Sequence, residues 1–289
     1  MVQATLTGGE CLIYPEFEEL FLYLHSLGCS VAVLTNGYLL DDNRIQFFLD
    51  HTPRVIQVTL YGQNDDVYER VTGRRAFSVV ADNVGRAIEA GLPVSLNVTP
   101  NSYLGEDVLD TIRFAKRLRP RIGVNSALFS PLEETGRSTQ QDDPDVGLYI
   151  RIYQLINELD GRETQVVKGK LPPAGGPSHE CMEHGLRCGG GRSSFAINWK
   201  GTMMACNRMH MIQADALKEG VERAWKKVCE EANSWPRVPE CEGCPYYYAC
   251  NNCMANILRF AEPGRQPTKL CEQTRCFVSC GVRNMPDCE

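Results

Sequence analysis

Cysteine spacing is the first chemical signal in this chain. Cys241-Glu-Gly-Cys244 and Cys250-Asn-Asn-Cys253 together make C-x2-C-x5-C-x2-C. Upstream, Cys188, Gly201 and Cys206 make C-x12-G-x4-C, and Cys271 follows Cys253 after seventeen residues. The 289 residues include 14 cysteines, and all but Cys11 and Cys29 lie between Cys181 and Cys288. Met1 to Thr7 has neither the charged nor the apolar stretch of a secretory signal, so a reducing, cytoplasmic setting is expected. There thiols serve as metal ligands rather than disulfides. A zinc ribbon separates its two knuckles by roughly 15 to 20 residues, so that each can turn toward the ion. The five residues between Cys244 and Cys250 are too few for that. A compact run suits an iron–sulfur cluster, which takes several thiolates from one short loop. One zinc with spare buried cysteines is the alternative.

A second group of candidates sits in the first half of the chain, at the ends of apolar runs: Gly8-Gly9-Glu10, Thr35-Asn36-Gly37, Thr59 with Tyr61-Gly62, and Asn97. The runs read as strands at Val2–Leu6, Ser30–Leu34, Val55–Leu60, Val94–Val98 and Ile122–Leu128. Helical spacing lies between them. It runs through Phe17, Leu20, Phe21, Leu24 and Leu27, stopped by Gly28. It recurs around Ile45, Phe48 and Leu49, from Phe77 to Ala90, and from Val108 to Leu118. Strand–helix alternation every 25 to 30 residues predicts parallel βα units, α/β class, with helices outside the strands. Ligands in such folds gather at the carboxyl ends of the strands, where these small and polar residues would share one rim. Ordinary βα turns are the competing reading, since Gly and Asn are default turn residues.

Composition narrows the partners. A net charge of −6 offers no cationic field for nucleic acid or an anionic membrane. No apolar run reaches the roughly 18 residues of a membrane span. The cysteine-poor and cysteine-rich parts divide near residue 165, which predicts domains 1–165 and 166–289.

Thr7-Gly8-Gly9-Glu10 after one strand and Thr35-Asn36-Gly37 after the next resemble the radical S-adenosylmethionine (radical SAM) superfamily. Val58-Thr59-Leu60-Tyr61-Gly62, followed by Tyr68-Glu69-Arg70-Val71-Thr72-Gly73, strengthens the resemblance. The resemblance implies a partial (β/α)6 barrel of the TIM type, with S-adenosylmethionine as cofactor. It implies that Gly8, Gly9 and Glu10 bind the methionine ammonium, with Thr35, Asn36 and Thr59 beside the cofactor. Arg70 and Asn97 would face its carboxylate and ribose. The family's CxxxCxxC loop, which holds a [4Fe–4S] cluster, does not occur in this sequence; Cys276-Phe-Val-Ser-Cys280 has the first spacing, but Arg283 stands at the third position. The first βα unit is therefore expected to be absent, through truncation of a longer protein or in a short protein that lost the chemistry. The third cluster would belong to a full-length form.

The array C-x12-G-x4-C, C-x2-C-x5-C-x2-C and a trailing cysteine resembles the SPASM domain of radical enzymes. Its last pair here is one residue shorter than the family's usual C-x3-C. That resemblance implies a β-hairpin around Trp199-Lys200-Gly201, short helices and two auxiliary [4Fe–4S] clusters. Carried over by position, the first takes Cys181, Cys188, Cys206 and Cys253, and the second takes Cys241, Cys244, Cys250 and Cys271. Cys229, in a helical stretch read over Ala214–Ala232, reads as a small buried hydrophobe. Cys276, Cys280 and Cys288 are unassigned. The implied function is oxidative crosslinking of a peptide or protein substrate, with a flavodoxin or ferredoxin as reductant. In the sulfatase-maturing branch an aspartate base follows the second hairpin cysteine. Asn207 stands there, and an amide has no useful basicity. A non-catalytic iron–sulfur protein for electron transfer or peptide binding is the alternative.

Overall fold

The computed structural model describes residues 2–119, 121–125, 145–162, 186, 188–247, 249–250, 253–261 and 263–281. The chain divides into two units, Met1–Leu128 with Gln141–Arg162, and Phe129–Gln140 with Glu163–Glu289.

Unit 1 is built on five parallel strands, β1 (Gln3–Leu6), β2 (Ser30–Thr35), β3 (Val55–Leu60), β4 (Val94–Val98) and β5 (Ile122–Val124), in that spatial order. The helices are α1 (Phe17–Ser26), α2 (Asp42–Asp50), α3 (Asp65–Thr72), α4 (Phe77–Glu89), α5 (Asp107–Leu118) and α6 (Val146–Leu159). Sequential neighbours joined by helices give the α/β architecture expected from the alternation. The end of the expected fifth strand, Ser126–Leu128, lies outside the described residues.

The two faces of the sheet differ. Val33, Ile56, Val58, Leu60, Leu96 and Val98 are fully buried. Their intervening neighbours include Gln57, Thr59, Ser95 and Asn97, of which the first three are only half-buried. Val58 lies beside Val80 of α4, which marks the apolar face as the helix-covered one. The opposite face mixes these polar residues with Ala32, Leu34 and Val55.

Two expectations change here. α1 buries Phe17 and Phe21, yet leaves Leu20 and Leu27 exposed, so its apolar spacing spans more than one covered face. α3 was not expected. Its sequence, DDVYERVT, carries only two buried residues, and its ends do the defining. Asn64 caps Val67 N–H at 2.9 Å, and Gly73 closes it at φ 75°.

Unit 2 contains an antiparallel sheet of β6 (Ala196–Ile197), β7 (Thr202–Cys206) and β8 (Met209–Asp215). The hairpin around Trp199-Lys200-Gly201 is formed, with Gly201 at φ 74° under Leu217. The helices are α7 (Ala216–Glu219), α8 (Val221–Asn233), α9 (Met254–Ile257) and α10 (Thr268–Ser279). The helix expected over Ala214–Ala232 is two helices broken at Gly220, and Ala214 belongs to β8. Cys229 is half-buried rather than buried. Met203, Ile212, Val228, Met254 and Leu270 centre the unit's core, with Cys206, Cys241, Cys250 and Cys253 packed against it. Among the described residues, no helix is long and apolar enough to cross a membrane.

Candidate functional site

The rim of unit 1 forms at the carboxyl ends of β1 to β4. Gly8 and Gly9 turn the chain out of β1, and Glu10 caps a 3-10 turn over Cys11–Ile13 with its own side chain. Its Oε1 accepts from Leu12 N–H at 3.1 Å and from the Thr35 hydroxyl at 2.7 Å. Its Oε2 accepts from Asn36 N–H at 2.7 Å. A carboxylate offers about four lone-pair sites. Three are taken by donors that fix its direction, and the negative charge and one lone pair remain for a cationic donor. The neighbouring Cys11 thiol is buried and donates to Leu34 C=O at 3.2 Å. Burial first, and then the Glu10 charge, push its pKa up to about 12.

The Thr35-Asn36-Gly37 turn is fastened from behind. Asn83 of α4, itself buried, donates from Nδ2 to Gly37 C=O and Tyr38 C=O, both at 3.0 Å. Its Oδ1 accepts from Arg86 at 2.6 Å. Gly37 sits at φ 81°, and a Cβ there would stand 2.8 Å from Val58 Cγ1. Asn83 was not singled out from the sequence. The available signal was an amide inside the apolar stripe Val80, Val84 and Ala87.

Strand register aligns the other candidates. Thr59 pairs with Asn97, and Asn97 with Gly123. Carrying the β1–β2 and β2–β3 offsets past their last paired residues adds Gly9 and Asn36 to the same row. A Cβ on Gly123 would lie 2.7 Å from Asn97 Oδ1, so the glycine makes room for that amide. The Tyr61 phenol, two residues beyond Thr59, has its pKa raised by burial and then by Glu10. Tyr61 stays neutral and is a site neighbour that sequence reading left unassigned.

Arg70 is used differently. Its guanidinium pairs with Asp107 and donates to Tyr103 C=O at 2.8 Å. Asp107 also accepts from Gln63 at 2.8 Å. Arg70 thus ties the chain after β4 to α3, and its hydrogen bonds are to these groups rather than to Glu10.

In unit 2 the cysteines form two sets. Cys188, Cys206 and Cys253 are close enough to interact electrostatically, and Arg208 N–H reaches the Cys206 sulfur at 3.4 Å. Burial and the neighbouring cysteines raise the Cys206 pKa. The Cys206 thiol stands 3.5 Å from Asn207 Oδ1. Cys181 lies outside the described residues. Cys241, Cys244, Cys250 and Cys271 all line one cavity, with Tyr246 and Tyr247 on its wall. Burial and Cys244 raise the Cys271 pKa, against Arg275 and a Gln266 hydrogen bond. Among the described residues, no three His, Cys, Asp or Glu side chains are grouped to hold a single metal ion. Four thiols around one cavity would suit a larger guest, such as a [4Fe–4S] cluster, which takes one thiolate at each iron. Cys276 is exposed and Cys280 half-buried, and Cys288 lies outside the described residues.

Comparison with known proteins places this geometry. Residues 2–125 match the radical SAM superfamily model. The "Probable GTP 3′,8-cyclase" of Saccharolobus islandicus is 33% identical over 133 residues, 45% of this chain and 42% of that protein. The match thus spans less than half the length of that relative. The "AdoMet-dependent heme synthase" of Methanosarcina barkeri is 22% identical over 272 residues, 86% of this chain and 76% of that protein. Among solved structures, Streptococcus suis SuiB bound to its precursor peptide SuiA superposes with a TM-score of 0.69 at 15% identity. That alignment covers 93% of this chain and 65% of SuiB, and it establishes a shared fold.

Proposed function

We propose that this chain, whose residues 2–125 match the radical SAM superfamily model, carries the cofactor rim and the auxiliary clusters of a radical enzyme that modifies a peptide or protein. The observation that carries the reading is Glu10: a carboxylate fixed by three donors with one acceptor position left. A group so held complements an ammonium such as that of S-adenosylmethionine. Thr59 and Asn97, side by side in the row, supply a hydroxyl and an amide for its sugar. Cofactor and cluster together would supply a 5′-deoxyadenosyl radical that takes a hydrogen atom from the substrate.

The sheet supports a further strand–helix unit, carrying the three-cysteine loop, against β1. Among the described residues β1 is an edge strand, with Gln3 and Thr5 exposed; α1 exposes Leu20 and Tyr23, and Leu27 just beyond it is exposed too. An unpaired parallel edge beside an uncovered apolar stripe is open to another chain. The described chain alone, with dithionite, should give no 5′-deoxyadenosine above a cluster-free blank.

The cysteine sets support two auxiliary [4Fe–4S] clusters, at Cys181, Cys188, Cys206 and Cys253, and at Cys241, Cys244, Cys250 and Cys271. Anaerobic reconstitution should give about eight irons and eight sulfides per chain, from two clusters of about four each. One or two zinc ions without iron–thiolate absorbance would refute this. The peptide assignment draws on SuiB, seen with a precursor peptide, and on Asn207, which cannot act as a base. With the further unit joined and a flavodoxin or ferredoxin supplying electrons, mass spectrometry should find a peptide lighter by two hydrogens per crosslink. One 5′-deoxyadenosine should form for each. The haem-synthase relative, matched over 86% of this chain, favours a second reading, S-adenosylmethionine-dependent chemistry on a small molecule of the haem type. Turnover of non-peptide substrates alone would decide for it, and formylglycine formation would overturn the crosslinking assignment.

A further inference from the structure

α10 presents more than a cysteine to the cavity of unit 2. Leu270, Cys271, Thr274 and Arg275 all line it, one face of a single helix. Thr274 is 1% exposed, an uncommon place for a hydroxyl. Its Oγ1 lies 2.9 Å from Leu270 C=O and 3.4 Å from the sulfur of Cys250.

A hydroxyl has one proton and two acceptors here. Leu270 C=O does not depend on it, because a helical carbonyl takes the backbone N–H four residues on. While Cys250 is a thiol, its own S–H can donate to Thr274 Oγ1, and the hydroxyl proton stays on Leu270. When the sulfur is a thiolate bound to metal, it has no proton to give and becomes the stronger acceptor. Rotation about one bond then turns the Thr274 proton onto sulfur, with no change in the helix.

We infer that the Thr274 hydroxyl donates to the Cys250 thiolate and raises the reduction potential of the auxiliary cluster held by Cys241, Cys244, Cys250 and Cys271. The inference rests on the cluster reading above. Reduction adds one electron to the cluster and makes its sulfurs more negative. A donor aimed at one of them therefore favours the reduced state. Arg275, whose charge also acts on Cys271, adds to the field from the same helix. Thr274 is a positioning residue, acting through sulfur rather than on substrate.

The test is a redox titration of the anaerobically reconstituted full chain, followed by electron paramagnetic resonance. Cys244→Ala identifies the relevant signal by deleting it, and the other cluster serves as internal control. Thr274→Val keeps the side-chain shape and removes the hydroxyl; Thr274→Ser keeps the hydroxyl. The valine variant should make this cluster about tenfold harder to reduce at a given potential, a shift of about 59 mV for one electron. The serine variant should stay near the parent, and the control signal should not move. Iron retained at this site with an unmoved potential in Thr274→Val overturns the inference. Thr274→Ala carries the same expectation should the valine variant fail to fold. Loss of the cluster in both, with retention in Thr274→Ser, gives the hydroxyl a holding role and overturns the tuning. Parent chain that binds no iron at these cysteines fails the cluster reading itself, before any variant is compared.

Discussion

Substituting Gly37 by alanine probes the rim through its tightest backbone position. Gly37 has φ 81°, and a left-handed conformation costs an L-residue about 1–2 kcal/mol. The new Cβ would stand 2.8 Å from Val58 Cγ1 and 3.2 Å from Val80 Cγ1, whereas carbons pack best at roughly 3.5–4.0 Å. Val58 and Val80 are fully buried, so neither can swing aside, and such overpacking costs about 1–3 kcal/mol. Reduced freedom in the unfolded chain returns about 0.4–1 kcal/mol. The net expectation is about 1–5 kcal/mol. Gly73→Ala is the control: its φ is 75°, nothing lies within 4 Å of an added Cβ, and it shares the conformational and unfolded-state contributions. The difference between the two variants isolates the packing part, about 1–3 kcal/mol. Urea unfolding should be followed by far-ultraviolet circular dichroism. All three tryptophans, Trp199, Trp225 and Trp235, lie in unit 2. Their fluorescence therefore follows unit 2 alone, beside a circular dichroism signal from both units, in a chain that need not unfold in one step. Equal losses for Gly37→Ala and Gly73→Ala, within about 0.5 kcal/mol, would refute the packing argument.

Glu10→Gln should loosen the Asn36 turn. An amide cannot accept at both oxygens, so its NH2 group must meet either Asn36 N–H or the Leu12 and Thr35 donors. A bond to a charged acceptor contributes about 1.5–3 kcal/mol, so Asn36 amide hydrogen exchange should accelerate by roughly 10- to 100-fold; unchanged exchange would count against the clamp. Cys11 should resist iodoacetamide in the native chain at pH 8, because its thiol is buried and its pKa is raised to about 12. Its labelling at the rate of exposed Cys276 would contradict that. Asp107 sits below the usual carboxylate range: burial raises its pKa, and the Arg70 and Gln63 hydrogen bonds outweigh that. Its stabilisation is therefore present above the unfolded-state value and is lost as pH falls through the depressed one. Both partners are partly exposed, so Asp107→Asn should cost no more than about 1 kcal/mol at pH 7. It should cost nothing measurable once pH has fallen through the depressed value, and urea midpoints at pH 7 and along an acid series check both parts.

Much of the sheet was legible in the sequence because hydrophobic period and glycine punctuation act locally. Val55–Leu60 and Val94–Val98 alternate apolar with small or polar residues between turn residues, and they are strands at those bounds. What escaped depends on ends or on partners. α3 is nearly all polar, so its capping residues were the usable signal. α6 has Asp145 as N-cap and Leu148, Tyr149, Ile152 and Leu155 on one face, a local pattern that was open to reading and was not read. The last two residues of β8, Ala214 and Asp215, fall in the helix expected over Ala214–Ala232, because Met-His-Met-Ile-Gln-Ala-Asp alternates weakly and the break waits until Gly220.

The rim shows where local reading ends. Glu10, Thr35 and Asn36 could be singled out one strand end at a time. That Asn36, Thr59 and Asn97 fall in one row depends on the pairing offsets of neighbouring strands, which no single segment encodes. Register also explains why the polar residues belong together. Gln57, Thr59, Ser95 and Asn97 share the face opposite the helices, while their neighbours on the covered face are wholly apolar. A sheet that had to bury both faces would read apolar at every position. Polar groups on one face are stable only where water, ligand or each other can satisfy them. Arg70, a cation near the rim in sequence, also meets a carboxylate of the chain itself, Asp107. Charge type alone therefore cannot assign a ligand contact; an acceptor held by three donors with one lone pair left, as at Glu10, is the stronger criterion.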